Sequence, residues 1–161
     1  MAAFNAKATA QISISTPLDL EEAYAVQSIV MSKRYLRGHK KMGLKLGFTS
    51  KAKMEHMGVH DMIWGRLSED MAYQNGSELL KDDFIHPRAE PEIAFLVKKN
   101  FDKILAYDDL SEYIQSVAVA IEIIDSRYEN FKFSLEDVIA DNCSSAGYTI
   151  GEWKDFTTPV R

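Results

Sequence analysis

Three acidic residues stand inside stretches of sequence that are otherwise apolar and rich in β-prone residues. Glu90 and Glu92 lie in the run from residue 88 to 97, and Glu122 lies in the run from residue 117 to 125. Carboxylates are almost never buried unless they are paired or bind a metal ion, because removing water from an isolated charge is costly or shifts its pKa until it is neutral. A fold that buries these two runs must therefore supply a partner for all three acids.

The composition narrows the class of protein. A chain of 161 residues, 46% of them hydrophobic, can form one ordinary domain, or a small cap joined to part of a larger one. The net charge of −5 argues against a nucleic acid or an anionic membrane as partner, since both bind a concentrated basic surface. Cys143 is the single cysteine and no apolar run approaches the roughly 18 residues of a membrane span, so we expect a cytoplasmic protein without an internal disulfide.

The N-terminal segment contains the signals of a long helix. Thr16 as N-cap and Pro17 at the first helical position begin it, and Gly38 ends it after Arg37. We expect an amphipathic cap helix, with an apolar face formed by Leu20, Tyr24, Val30 and Tyr35.

A short strand is predicted next, from residue 43 to 48, with Lys45 alone among apolar neighbours. A helix capped by Thr49 and Ser50 should follow through Met57, where Gly58 ends it, and residues 61–65 should form a loop. The Asn75-Gly76 pair is a strong turn signal. We therefore expect an α/β cap segment over residues 1–75 and a β-rich segment over residues 76–161.

The β-rich segment places two acids on one face of a strand. From residue 90 the alternation with period two puts Glu90 and Glu92 on the same side, about 7 Å apart along the strand. Pro91 cannot donate to a ladder, so the start of this strand should be an edge, a bulge or the mouth of a cleft. Residues 108–117 are expected to be helical and residues 117–125 to form a buried strand, with Glu122 on the face of the small residues Ala118 and Ala120.

Carboxylates from two strands, without Cys or His ligands nearby in sequence, form a hard-oxygen site of the kind that suits Mg²⁺ or Mn²⁺. A metal ion there could hold a 2-oxo acid through its adjacent carboxylate and carbonyl oxygens and act as a Lewis acid. Lys45 could supply a proton or a positive charge. The residues alone leave other interpretations open, because the acids could be solvated or salt-bridged and Lys45 could extend from a strand end into water.

Four stretches of the sequence together resemble one known family. They are residues 43–59, residues 85–94, residues 121–133 with their Ser-Arg-Tyr-Glu-Asn-Phe motif, and residues 138–145. The chain resembles the hydratase/decarboxylase branch of the fumarylacetoacetate hydrolase superfamily from about Pro17 onward. The resemblance implies an α+β fold, a mixed β-roll of which this chain holds the N-terminal α/β segment and the first part of the roll.

The same resemblance implies a set of site residues. Mg²⁺ or Mn²⁺ would be held by three acids, and a lysine and one or two serines would act on the substrate. The implied metal ligands are Glu90, Glu92 and Glu122; the implied catalytic residues are Lys45, Ser144 and Ser145; the implied substrate-binding residues are Ile63, Arg127 and Asn142.

The activity implied is metal-dependent decarboxylation of the small 2-oxo dicarboxylic acid 2-oxo-3-hexenedioate to 2-hydroxypenta-2,4-dienoate, in the meta-cleavage catabolism of aromatic compounds. The alternative within the family is a 2-oxopent-4-enoate hydratase, which shares the metal site. Such hydratases tend to carry Asp before the aromatic-Gly pair, whereas this chain has Ile63 before Trp64-Gly65. The resemblance therefore favours the decarboxylase.

Members of the family continue beyond the position of Arg161 into a Gly-rich C-terminal half. We therefore expect a fragment, or a chain that a partner completes: a homo-oligomer, or a complex with a related hydratase or a full-length relative. An open sheet edge would favour such pairing. A third hypothesis is a non-catalytic remnant that serves in assembly or binding.

Overall fold

The computed structural model describes residues 5–51, 54–55 and 62–157. The first two α-helices of the described residues are the single turn α1 (Ile12–Ser15) and the long helix α2 (Leu20–Leu36). The N-cap of α2 is Asp19, whose side chain accepts the Glu22 N–H while the Glu22 side chain accepts the Asp19 N–H. This capping box satisfies two backbone groups at once.

The predicted start of this helix at Thr16 and Pro17 is therefore wrong by one turn. Thr16 instead closes α1, since its N–H donates to the carbonyl oxygen of Ile12. The predicted end is confirmed: α2 stops at Leu36, and Gly38 adopts a left-handed φ of 98° that suits glycine.

The face that α2 buries differs in part from the expectation, although Tyr24 of the predicted face does pack against the core. Ala23, Gln27 and Met31 are the buried residues, four apart along the helix, whereas Leu20 and Val30 are about half exposed. Gln27 is buried because its amide is fully used: Nε2 donates to the carbonyl oxygens of Trp64 and Ile139, and Oε1 accepts from Arg66. A polar residue thus fixes the position of the helix over its neighbours.

A two-stranded antiparallel sheet follows, formed by β1 (Lys41–Gly47) and β2 (Ile63–Ser68). The strand predicted around Lys45 is confirmed, but residues 63–65, predicted as loop, belong to β2, where Lys45 pairs with Gly65. Residue 61 and the predicted helix end at Met57 and Gly58 lie outside the described residues.

The second sheet contains β3 (Arg88–Val97), β4 (Ile114–Ile124), β5 (Ser145–Ile150) and β6 (Lys154–Asp155). β4 pairs with β3 on one side and with β5 and β6 on the other, always antiparallel. The helix predicted over residues 108–117 is only the single turn α3 (Leu110–Tyr113) preceded by a 3-10 turn, because β4 already begins at Ile114. β3 is an edge strand of the described sheet, which is one of the three alternatives that Pro91 left open.

The hydrophobic core lies between α2, β2 and the short helix α4 (Leu135–Ala140). It is formed by Ala23, Ile63, Val138, Ile139, Ala140 and Cys143. The α+β class is confirmed. Within the described part of the chain, no helix has the length and apolar character that crossing a membrane requires.

The Asn75-Gly76 turn is also present, with Gly76 at a φ of 83°. Ala72, just before it, bridges to Tyr148 of β5, so backbone pairing connects residues on either side of the turn. The predicted division into residues 1–75 and 76–161 stays a prediction.

Replacing Asp19 with alanine removes the side-chain acceptor of the capping box, and we expect the free energy of unfolding to fall by about 1 kcal/mol. Urea denaturation followed by far-UV circular dichroism measures the change. Glu21 is the matched control, an acid of the same turn outside the capping box. Equal losses in Asp19→Ala and Glu21→Ala would contradict the assigned helix start.

Candidate metal centre

The three acids converge on one face of the second sheet. Glu90 on β3 lies directly opposite Glu122 on β4, and Glu92 follows two residues later on the same face, opposite Ala120. Each of the three residues offers one carboxylate oxygen, and these oxygens all lie within 4.8 Å of one another. The antiparallel register therefore builds a cluster that the strand alternation predicted only in part.

Lys45 reaches the same cluster from the other sheet. Its side chain points inward from β1 while its neighbours Leu44 and Leu46 are exposed, and Nζ lies 2.9 Å from Oε2 of Glu122. The side chains of Lys45 and Glu122 are only 12% and 6% exposed. The pair is thus a largely buried salt bridge between two sheets.

The second oxygen of Glu122 is also engaged. The Ser145 hydroxyl donates to Oε1 at 2.9 Å. Burial raises the pKa of Glu122, and the nearby Glu90 raises it further, while the charge and hydrogen bond of Lys45 and the hydroxyl of Ser145 act in the opposite direction. Lys45 and Ser145 therefore favour the ionised form that a metal ligand needs, against the effect of burial.

The donor set fits a divalent cation. Three carboxylates bring three negative charges when ionised, and Lys45 contributes one positive charge, so the cluster carries excess negative charge. Carboxylate oxygens are the preferred ligands of hard cations such as Mg²⁺, which also keeps bound waters. Glu90 and Glu92 are partly exposed, so that side of the cluster can accept water or substrate oxygens.

A left-handed turn lies beside the cluster. Asn142, Cys143 and Ser144 have φ values of 53°, 54° and 56°, a conformation that is strained for residues other than glycine. Within the described residues the buried Ser144 hydroxyl has no hydrogen-bond partner. Burial raises the pKa of the Cys143 thiol to about 12, so this cysteine stays protonated and is a poor nucleophile at neutral pH.

The residues predicted to bind substrate have other contacts in the structure. Ile63 lies in the hydrophobic core. Arg127 donates from Nε to Asp141 and from its two terminal nitrogens to the carbonyl oxygens of Asp125, Asp141 and Ser145. Both polar atoms of the Asn142 amide bond to the backbone of Arg66: Oδ1 accepts from its N–H and Nδ2 donates to its carbonyl oxygen. These contacts favour positioning roles for Arg127 and Asn142, and substrate binding by the three residues stays a prediction.

Two acids that the sequence pattern did not reveal hold the site together, the buried Asp125 and the largely buried Asp141. Asp125 accepts the N–H groups of Ile85 and His86 at the entrance to β3, and its own N–H donates to the carbonyl oxygen of Ser144. Asp141 forms a largely buried ion pair with Arg127, in which Oδ1 of Asp141 lies 2.6 Å from Nε of Arg127. Asp125 follows directly on the apolar run 117–124, the same signal that identified Glu122.

Known proteins resemble the chain closely in sequence. No family model matches it. It is 45% identical over 159 residues to a 4-oxalocrotonate decarboxylase from a Pseudomonas species, covering 99% of this chain and 62% of that protein. It is 40% identical over 144 residues to the TodF product hydratase from Pseudomonas putida, covering 89% of this chain and 52% of that protein.

The fold agrees with the sequence similarity. A solved structure of 4-oxalocrotonate decarboxylase from Pseudomonas putida G7, complexed with magnesium and adipate, superimposes with a TM-score of 0.88 at 36% identity, covering 93% of this chain and 58% of that one. The chain thus spans between about half and three fifths of the length of these relatives. The resemblance to the hydratase/decarboxylase branch is confirmed.

Replacing Lys45 with methionine keeps the length of the side chain but leaves Glu122 buried without its cation. In the absence of divalent metal we expect the free energy of unfolding to fall by about 3 kcal/mol, the typical cost of breaking a buried pair. Added Mg²⁺ should restore more stability to Lys45→Met than to the unmodified chain, which thermal unfolding measures.

Lys40→Met is the control, because Lys40 is exposed and forms only a surface pair with Glu69. We expect it to cost less than about 1 kcal/mol. A loss in Lys45→Met no larger than in this control would contradict the structural importance of the Lys45 to Glu122 pair.

Proposed function

We propose that this chain, which resembles decarboxylases in sequence and fold and hydratases in sequence, carries the metal site and active-site lysine of a 2-oxo-3-hexenedioate decarboxylase. The product would be 2-hydroxypenta-2,4-dienoate, in the meta-cleavage catabolism of aromatic compounds. The observation that carries the proposal is the convergence of three carboxylates, from Glu90, Glu92 and Glu122, beside the Nζ of Lys45. The magnesium and adipate in the similar decarboxylase structure support the same ligand classes, a divalent cation and a dicarboxylic acid.

Glu90, Glu92 and Glu122 would hold the metal ion, with Mg²⁺ as the first choice and Mn²⁺ as the alternative. When bound, the ion supplies a Lewis acid that polarises the 2-oxo group. The protein's part is to place the three carboxylates on one sheet face and to keep Glu122 ionised through Lys45 and Ser145.

Lys45 is suited to stabilise the charge that develops during the reaction. In 2-oxo-3-hexenedioate the bond to the distal carboxylate breaks, CO₂ leaves, and the electron pair moves through the conjugated chain to the 2-oxo oxygen. The Lys45 ammonium, held beside the cluster by Glu122, would face that oxygen and stabilise its negative charge. The Ser144 hydroxyl, which finds no hydrogen-bond partner among the described residues, would be free to donate to a substrate oxygen.

Decarboxylation is favoured over hydration for two reasons. The sequence is more similar to the decarboxylase than to the hydratase, at 45% against 40% identity and over more of the chain. The position before Trp64 is Ile63, a core residue with no group to orient or activate water, where hydratases of this type tend to have Asp. A hydratase needs such a group, whereas decarboxylation does not.

Cation binding tests the site separately from turnover. Isothermal titration with Mg²⁺, and then with Mn²⁺, should give one site that Glu90→Gln weakens at least tenfold, because one ligand charge is lost. Glu112→Gln is the matched control, since Glu112 forms only an exposed pair with Lys99. Equal binding by both variants would remove the metal site from the proposal.

Turnover is then measured with Mg²⁺ and 2-oxo-3-hexenedioate by the loss of substrate absorbance. We expect activity that Glu90→Gln abolishes and Glu112→Gln retains. Consumption of 2-hydroxypenta-2,4-dienoate instead would identify the hydratase. Metal binding without turnover of either compound would assign the chain the role of a non-catalytic remnant that serves in binding or assembly.

We also propose that the chain associates with a second copy or with a longer relative such as a hydratase. The face of the second sheet opposite the acids is apolar and open: Ile93, Phe95, Val119 and Ile121 are 63%, 52%, 75% and 44% exposed. Burying such a patch in an interface is favourable. Sedimentation velocity should show a species larger than the 18.2 kDa monomer that Val119→Lys dissociates; a monomer at all concentrations would contradict self-association.

A further inference from the structure

The two ends of the Lys45 to Glu122 pair are carried by different sheets. Lys45 lies on β1 of the two-stranded sheet and Glu122 on β4 of the second sheet, and no strand pairing joins the two sheets in the described part of the chain. The distance of 2.9 Å between Nζ and Oε2 must therefore be set by contacts outside the ladders.

The side chain of Asn142 supplies such a contact. Its Oδ1 accepts the Arg66 N–H at 2.8 Å and its Nδ2 donates to the Arg66 carbonyl oxygen at 2.9 Å. The amide thus bonds to β2 as the backbone of a neighbouring strand would. Arg66 is adjacent to Gly65, the residue that pairs with Lys45, so this contact lies close to the lysine in the two-stranded sheet, here called the β1–β2 ribbon.

The same turn leads to Ser145, whose hydroxyl binds the other end of the pair, Glu122 on β4. Asn142 begins the left-handed turn through Ser144, and the next residue, Ser145, donates to Glu122. The turn is fixed to the second sheet by the bond from Asp125 N–H to the Ser144 carbonyl oxygen and by Arg127, which donates to the Ser145 carbonyl oxygen. Asparagine tolerates the left-handed conformation better than most residues, which suits it to this position.

Gly65 makes the close approach possible. A Cβ at this position would lie 2.8 Å from the carbonyl oxygen of Asn142 and 3.3 Å from Cγ of Lys45. The first distance is shorter than Cβ contacts allow, and the atom it meets is backbone that cannot rotate away. Any larger residue would push the two strands β1 and β2 that carry Lys45 away from the turn that leads to Ser145.

We infer that Asn142, seated against Gly65, is a positioning residue that clamps the β1–β2 ribbon onto the turn before β5 and so sets Lys45 against Glu122. The inference rests on the proposed function for its catalytic consequence, but the clamp itself exists without substrate. It assigns the Asn142 amide to β2 and not to the substrate.

The test is the reactivity of Lys45 in the substrate-free protein. An acetylating N-hydroxysuccinimide ester is added in limiting amount, and peptide mass spectrometry compares Lys45 with the exposed Lys40 in the same sample. Asn142→Gly removes the amide and keeps a residue that accepts positive φ, and Gly65→Ala adds the clashing Cβ. In both variants we expect the ratio of Lys45 acetylation to Lys40 acetylation to be at least three times the ratio in the unmodified chain.

Ile139→Val is the control, because it loosens the core without changing the clamp contacts. No change in Asn142→Gly, or an equal rise in Ile139→Val, would overturn the inference. If Asn142→Gly does not fold, Gly65→Ala against the same control decides in the same way.

Kinetics separate positioning from substrate binding. If the proposed decarboxylation holds, Asn142→Gly should lower kcat at least tenfold and change KM less than threefold, since small misplacements of catalytic groups are costly. A raised KM with unchanged kcat and unchanged Lys45 labelling would assign Asn142 to the substrate and overturn the clamp. If the unmodified chain turns over no substrate, the proposed function fails while the labelling result still stands.

Discussion

The ion pair between Lys45 and Glu122 is the contact around which the rest of the site is arranged, because it joins two sheets that share no ladder in the described structure. A buried pair of this kind is weak evidence for added stability, since the cost of removing both groups from water can exceed their attraction. Its value is geometric. It places the Lys45 ammonium beside Glu122, the buried member of the cluster, while the carboxylates of Glu90 and Glu92 remain partly exposed to water.

The three acids differ in burial, so the cluster is closed at Glu122 and open to solvent at Glu90 and Glu92. Glu122 is buried between Ser145 and Lys45, and burial raises its pKa, whereas Glu90 and Glu92 start the edge strand β3 and are partly exposed. A cation or a substrate oxygen can therefore approach over β3, and the far wall is formed by the ribbon that carries the lysine. The charge excess of the carboxylates attracts cations to the open side.

The sequence predicted the parts of the site that depend on local alternation. The strand faces of Glu90, Glu92 and Glu122 follow from period two, and the edge position of β3 is one of the alternatives that Pro91 allowed. The predictions failed where tertiary contacts decide. Gln27 is buried by three hydrogen bonds that no hydropathy pattern reveals, so the predicted apolar face of α2 omits it, although Tyr24 of that face does pack against the core.

Gly65 is a second residue whose structure depends on tertiary contacts that the sequence pattern does not reveal. A glycine after Trp64 resembles a chain breaker and suggested a loop, yet it lies inside β2, where the missing side chain leaves space for the Asn142 backbone. Asn142 itself sits in a motif that suggested a substrate contact. Its role depends on Arg66, which is 76 residues away along the chain and is brought near only by the fold.

The buried carboxylate of Asp125 has a consequence for how a ligand meets this site. It holds the N–H groups of Ile85 and His86, just before the acidic start of β3, while its backbone holds the turn that leads to Ser145. The start of β3 and the turn before Ser145 are therefore both held in place when the chain folds. The conformational entropy of aligning the acids is lost at that stage, so an ion arriving at the proposed metal site would meet carboxylates that are already aligned and would lose only part of its water.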